Sequence, residues 1–150
     1  MRLHRGFTLV ELMIVVLVLA IIASIAVPSY RSYVLRAQRS DATSALLRIR
    51  TAQEKFFLQN PQVGYTTEFG PAGLRLMPGA TTTLTTENGY YNVSVTIPDP
   101  TPGATPQSFL ITATPIAGGP QASDAKCTSF TLNSDGARGS APNPIATCWK

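Results

Sequence analysis

The sequence of 150 residues predicts an α+β protein with a long N-terminal helix and a small antiparallel sheet. The first observation behind this prediction is an uncharged, strongly apolar run from Leu12 to Val27, followed by helical periodicity. The second is a set of three short alternating runs in the second half of the chain. The third is a pair of cysteines in the last quarter. We therefore expect a helix whose hydrophobic half projects from a globular head, with a disulfide-bonded region at the C-terminus.

The segment Leu12–Val27 is apolar on every face, as a helix embedded in lipid requires. Glu11 lies at the start of this run. A carboxylate within a membrane-length apolar segment costs roughly 2.5–3.5 kcal/mol on insertion scales. We therefore interpret Glu11 as a functional residue.

The helix is predicted to continue past the apolar run to about Leu58, because Pro28 is the only strong breaker before Asn60. Pro28 removes one helical hydrogen bond, so we expect a kink there, although it also suits the exit from the membrane. Arginines at 36, 39 and 50 are expected on the solvated face. Apolar residues at steps of three and four form the opposite, core-facing stripe: Ala42, Ala45, Leu46, Ile49, Ala52 and Phe56.

Three strands are predicted from alternating apolar residues, over Tyr90–Ile97, Ser108–Thr114 and Thr128–Leu132. Turn residues precede the first strand at Asn88-Gly89 and follow the third at 134–136. Prolines confine the segment 98–106 to a loop. The last segment, 139–150, has few strand features. These strands are expected to cover the apolar stripe of the helix.

The formal net charge of +4 is unevenly distributed. The segment Arg31–Lys55 has six basic and two acidic side chains, whereas the chain after it has four basic and five acidic. A basic stretch after a membrane segment usually sets orientation or meets anionic headgroups. Nucleic-acid binding is the less favoured interpretation, because no aromatic residues interleave with the arginines.

The two cysteines, Cys127 and Cys148, are expected to form a disulfide in an oxidising compartment, worth about 3 kcal/mol. No enzymatic constellation is found: the only histidine is His4, and no carboxylates form a close pair. Asp124 and Asp135 are isolated acidic residues in turns, too few for calcium. We expect no enzyme activity, no metal and no cofactor.

The segment Gly6-Phe7-Thr8-Leu9-Val10-Glu11 follows a short basic leader and precedes the apolar run. This arrangement resembles the type IV pilin family, and the small size and Cys148-Trp149-Lys150 ending are most like a minor pilin. The resemblance implies cleavage after Gly6 and N-methylation of Phe7 by a prepilin peptidase. It also implies that Glu11 registers each subunit against the next, by pairing with the Phe7 amine of a neighbour. The implied domains are a leader (1–6), a transmembrane and filament-core helix (7–30) and a head (31–150).

The function implied by this resemblance is that of a structural subunit of a type IV pilus, supporting adhesion, twitching motility or DNA uptake. The implied partners are the peptidase and N-methyltransferase, other pilin subunits and an inner-membrane assembly platform. The subunit is expected in the bacterial inner membrane and then in the extracellular filament, with its head in the periplasm or outside.

Four alternatives remain open at this point. A pseudopilin of a type II secretion system has a similar N-terminus, but its major subunits generally end in a calcium-bound loop. A DNA-binding uptake pilin is disfavoured by the near-neutral head. A secreted periplasmic binding protein, cleaved after Ser24-Ile25-Ala26 to start at Val27, is the alternative of a different class. A plain single-pass anchor would leave Glu11 without a purpose.

Overall fold

The computed structural model of the chain describes residues 8–98 and 105–149. The expected cleavage and methylation residues, Gly6 and Phe7, lie outside the described residues, as does the middle of the proline-rich loop. The chain divides between Val34 and Leu35 into two compact units. We describe each unit by itself. From here on, the head means the second unit, which begins at Leu35 and not at residue 31, the start of the head implied by the resemblance.

Helix α1 spans Leu9–Gln59, which confirms the predicted single long helix. The Leu12 N–H donates to the Thr8 carbonyl over 3.2 Å, so Thr8 occupies the N-cap position. Pro28 lies inside the helix. A kink at that proline stays a prediction.

The head contains one five-stranded antiparallel sheet in the order β1-β2-β3-β4-β5, in which each strand pairs with the next along the chain. Asn88-Gly89 lies in the loop before β2, and Gly89 has a φ of 70°, which glycine adopts without strain. The strands are β1 (Thr83–Thr85), β2 (Tyr91–Thr96), β3 (Leu110–Pro115), β4 (Cys127–Asn133) and β5 (Arg138–Pro142).

The core lies between the predicted apolar stripe of α1 and one face of the sheet. The stripe is buried from Ala42 to Ile49 and half-buried at Ala52 and Phe56. Alternate residues of the central strands meet it, as their period of two predicts. Those fully buried on the sheet side include Tyr91, Val93, Phe109, Ile111, Ala113, Phe130 and Leu132.

The sequence predicted three strands and the head has five, because the two edge strands lack an alternating apolar pattern. β1 has only three residues, of which Leu84 alone is buried. β5 (Arg138–Pro142) has no buried residue, so its sequence has no alternating apolar pattern that would predict a strand. It is a strand because it pairs with β4, from Leu132↔Arg138 to Cys127↔Pro142. A four-residue helix, α2 (Ile145–Cys148), follows it.

Candidate functional site

The N-terminal end of α1 combines a capping threonine with an acidic first turn. The Glu11 N–H donates to the Thr8 Oγ1 over 3.2 Å. Thr8 and Glu11 therefore occupy the N-cap and N3 positions of the sequence pattern of a capping box. A carboxylate in the first turn also suits the positive end of the helix dipole. The Thr-x-x-Glu spacing is the sequence signal from which this cap could have been predicted.

The helix after Glu11 presents apolar side chains on all of its faces. From Leu12 to Val27 its large apolar side chains are roughly half exposed or more within the chain. An 18-residue window of α1 has a mean hydropathy of 3.0, and by length and composition it can cross a membrane. Exposing these apolar side chains to water is unfavourable in free energy. Lipid or other protein chains are therefore needed to bury them.

The head carries a buried ion pair that the sequence patterns did not predict. Arg39 Nε donates to Asp124 Oδ2 over 2.7 Å, and Arg39 Nη2 donates to Asp124 Oδ1 over 3.0 Å. Both side chains are at least 96% buried. A third bond runs from Arg39 Nη1 to the Thr147 carbonyl over 3.1 Å. The expectations of Arg39 on a solvated face and of Asp124 as an isolated turn residue were therefore wrong.

The helical phase contained the missed signal for Arg39. Positions 39, 42, 46, 49 and 53 are separated by steps of three and four, and all five are buried. Arg39 therefore lies on the same face as the apolar stripe. An arginine on a buried face needs an acidic partner. The identity of that partner, Asp124, depends on the folded structure.

A second buried network lies beside this ion pair. Tyr91 Oη donates to Gln121 Oε1 over 2.8 Å, and Gln121 Nε2 donates to Gln38 Oε1 over 2.7 Å. The same nitrogen also donates to the Leu35 carbonyl. Burial, reinforced by the nearby Asp124 carboxylate, raises the pKa of Tyr91 above its usual value. The neutral phenol is thus the form that the folded head stabilises.

The predicted disulfide joins Cys127, the first residue of β4, to Cys148, the last residue of α2. Both cysteines are fully buried. Trp149 follows directly, and its indole Nε1 donates to the Gly139 carbonyl over 2.8 Å. The disulfide and this hydrogen bond hold Cys148 and Trp149 against β4 and β5.

The exposed charges of the head are mostly basic, although its total charge is nearly balanced. Within 35–98 and 105–149, six of eight cationic side chains are exposed, against two of six acidic ones. Asp41 and Asp124 are buried, and Glu68 accepts hydrogen bonds from the backbone of Gly70 and Thr81. A charge count therefore understates the positive surface. The exposed cations are Arg36, Arg48, Lys55, Arg75, Lys126 and Arg138.

Within the described ranges, no group of three or more His, Cys, Asp or Glu side chains could hold a metal ion. Asp124, one of the two acids considered for calcium, is engaged by Arg39. Asp135 is exposed in the turn between β4 and β5.

Two family models match this chain. Residues 28–131 match the family described as "Type IV minor pilin ComP, DNA uptake sequence receptor". Residues 1–27 match the "Prokaryotic N-terminal methylation motif". The first match covers more than half of the chain and includes most of the head.

Curated relatives share part of this sequence. A "Fimbrial protein" of Pseudomonas aeruginosa is 41% identical over 63 residues, which are 42% of this chain and 41% of the relative. A "Type IV major fimbrial protein FimA" of Dichelobacter nodosus is 45% identical over 62 residues, or 41% and 40% of the two chains. A "Type IV major pilin protein PilE1" of Neisseria gonorrhoeae is 39% identical over 72 residues, which are 48% of this chain and 32% of the relative. The chain thus spans less than half the length of each of these relatives.

Proposed function

Because this chain belongs to the type IV minor pilin family of the ComP DNA uptake sequence receptor, we propose that it is a structural subunit of a type IV pilus. The observation that carries this proposal is the apolar, membrane-length start of α1, directly after a matched methylation motif. Family membership favours this function over the pseudopilin, the plain anchor and the secreted protein starting at Val27. We propose that the chain acts as a structural subunit and not as an enzyme.

The proposed maturation begins with cleavage between Gly6 and Phe7 by a prepilin peptidase, which then methylates the new amine. Processing would create a cationic amine about one helical turn from Glu11, roughly 6 Å along the helix axis. The mature subunit would wait in the inner membrane until the assembly platform adds it to other pilins in the extracellular filament.

In the proposed assembly step, Glu11 of one subunit pairs with the Phe7 amine of another. An unpaired carboxylate in hydrocarbon is costly, and pairing it with a cation reduces that cost. The same cost that disfavours isolated insertion would therefore favour polymerisation. The Thr8 cap bonds the backbone of Glu11, so it does not occupy the carboxylate.

The test replaces Glu11 with Leu in the full-length chain and compares membrane and sheared-filament fractions. We expect processed protein in the membrane and a fall in its filament content of roughly tenfold or more, since loss of a buried charge pair costs several kcal/mol. Ser24→Ala is a matched control on the same helix, where the Ser24 hydroxyl donates to the Ile21 carbonyl of its own helix. Normal incorporation of Glu11→Leu would overturn the proposed role of Glu11.

DNA binding in uptake is a second candidate function, supported by the described family and by the exposed cations of the head. Lysine and arginine side chains that neutralise phosphates make binding fall steeply with salt. We expect the purified full-length protein in detergent to bind duplex DNA at low salt and to release most of it as salt rises to the physiological range. Absence of binding at low salt would overturn this candidate and leave the structural role intact.

A further inference from the structure

A pocket of about 390 Å³ lies in the head between the last turns of α1 and the loop of residues 71–76. Its volume is within the range of small-molecule sites, roughly 300–1,000 Å³. Four residues of α1 and the following Asn60 form one wall, and the loop forms the other. We call it the α1–loop pocket. Its lining includes neither Arg39 nor Asp124.

The charged side chains that line the pocket are both cationic. Lys55 comes from α1 and Arg75 from the loop, and the lining contains no acidic residue among those that the structure describes. Both side chains are exposed. The nearby carboxylate of Glu68 is held by the backbone N–H groups of Gly70 and Thr81, at 2.8 and 2.7 Å. The pocket therefore suits an anionic group such as a phosphate.

Arg75 is held in a backbone conformation that an arginine rarely adopts. Its φ is 57°, in the left-handed region, and it is the one non-glycine residue with positive φ among those described. This conformation is unfavourable for a residue with a side chain, and it persists where neighbouring hydrogen bonds fix the backbone. The N–H groups of Leu74 and Leu76 donate to the carbonyls of Glu68 and Phe69, at 2.9 and 2.8 Å. Strained residues of this kind are common at binding sites, and this one brings a cation into the lining of the pocket.

The remaining lining includes an aromatic side chain and amide groups. Phe56 lines the pocket, is half-buried and also packs against the core, whereas the neighbouring Phe57 stacks on Tyr65 at 4.7 Å. Exposed Gln59 and half-buried Asn60 also line the pocket. An aromatic ring stacks on nucleobases, and side-chain amides hydrogen-bond to base edges.

We propose that the α1–loop pocket binds one unpaired nucleotide of DNA, with its phosphate between Lys55 and Arg75 and its base against Phe56. This inference rests on the proposed DNA-binding function and adds a specific site to it. A base within a duplex cannot reach such a pocket without leaving the stack, which sacrifices its base pairing and stacking. The pocket therefore selects single strands, strand ends or extruded bases over continuous duplex.

The experiment measures fluorescence anisotropy of a short labelled single-stranded oligodeoxynucleotide with the full-length protein in detergent at low salt. Arg75→Gly removes the cation and relieves the positive φ, so it does not threaten the fold. Lys55→Gln is a second variant on the helix wall. Each variant should weaken binding roughly tenfold or more, as expected for loss of a charge-assisted hydrogen bond. Deoxyadenosine monophosphate should compete with the oligonucleotide, and should compete better than inorganic phosphate.

Arg138→Gln is the matched control, because Arg138 is exposed and lies outside the pocket, over the Trp149 ring. It should weaken binding only a few-fold. If wild-type protein binds DNA but Arg75→Gly and Lys55→Gln lose no more affinity than Arg138→Gln, the pocket inference is overturned. DNA binding would then occur at another surface. If wild-type protein binds neither single strands nor duplex, the DNA-binding function itself is overturned.

Discussion

Arg39 on α1 and Asp124 before β4 form a two-bonded ion pair, with N–O distances of 2.7 and 3.0 Å, inside the head. The two residues are 85 positions apart in the chain. The Lys126 N–H also donates to Asp124 Oδ1 over 3.2 Å, next to disulfide-bonded Cys127. The ion pair therefore fixes α1 to the start of the strand that carries the disulfide.

Breaking this pair should strongly destabilise the head. Arg39→Met leaves the Asp124 carboxylate buried without its partner, which costs about 3–5 kcal/mol. Urea denaturation of the full-length protein in detergent, followed by fluorescence of Trp149, measures this loss. Lys55→Gln is the control, because an exposed helix cation should change stability by about 0.5 kcal/mol or less. A loss below about 1 kcal/mol for Arg39→Met would contradict the assigned role.

The disulfide should stabilise the head by about 3 kcal/mol, because Cys127 and Cys148 close a loop with a sequence separation of 21. Reduction of the wild-type protein should lower its urea midpoint by the corresponding amount. A Cys127→Ala/Cys148→Ala variant should unfold at the reduced midpoint and not respond to reductant. Equal midpoints for oxidised and reduced protein, with both thiols shown to titrate, would refute this prediction.

The stability of the head should fall in alkali because of Tyr91. Its folded-state pKa is raised by burial above the ordinary value of 10.0. Its contribution is therefore fully present below about pH 10 and is lost as pH rises toward the folded-state pKa. The free energy of unfolding, measured from about pH 9 to about pH 11, should decline more steeply for wild type than for Tyr91→Phe. Parallel curves would show that Tyr91 does not cause the decline.

Two glycines of the segment between α1 and β1, Gly73 and Gly79, provide a matched pair. A Cβ at Gly73 would collide with the Glu68 backbone, whereas a Cβ at Gly79 would meet open space. Gly73→Ala should cost about 1–3 kcal/mol, since rigid backbone must move. Gly79→Ala should change stability by about 0.5 kcal/mol or less. Similar urea midpoints for the two variants would contradict the described loop.

The sequence predicted those parts of the fold that follow from periodic burial. The stripe from Ala42 to Ile49 and the inward residues of β2 to β4 have a clear period, so their positions were correct. β5 was missed because its pairing with β4 forms it, while its own residues remain outside the core. The pocket was also missed, because residues 60–83 have no periodicity and their conformation depends on contacts such as those of Glu68.

The same distinction holds for the candidate site residues: some stand out in a sequence pattern, and others depend on contacts that form only in the fold. Glu11 stood out in the sequence because a carboxylate is rare in an apolar run, and its role in assembly stays a prediction. Arg39 was misplaced because arginine is usually exposed, although its position is in phase with the buried stripe. The charge count of the head disfavoured DNA binding, since a sequence does not show which carboxylates become buried or bonded.

The most direct test of the pilus assignment is intact mass spectrometry of this chain recovered from sheared surface filaments. We predict a mature chain that starts at Phe7, carries one added methyl group and contains the Cys127–Cys148 disulfide. The same sample should contain other pilin subunits. A chain that starts near Val27, or one absent from filaments while abundant in the periplasm, would contradict the proposed function.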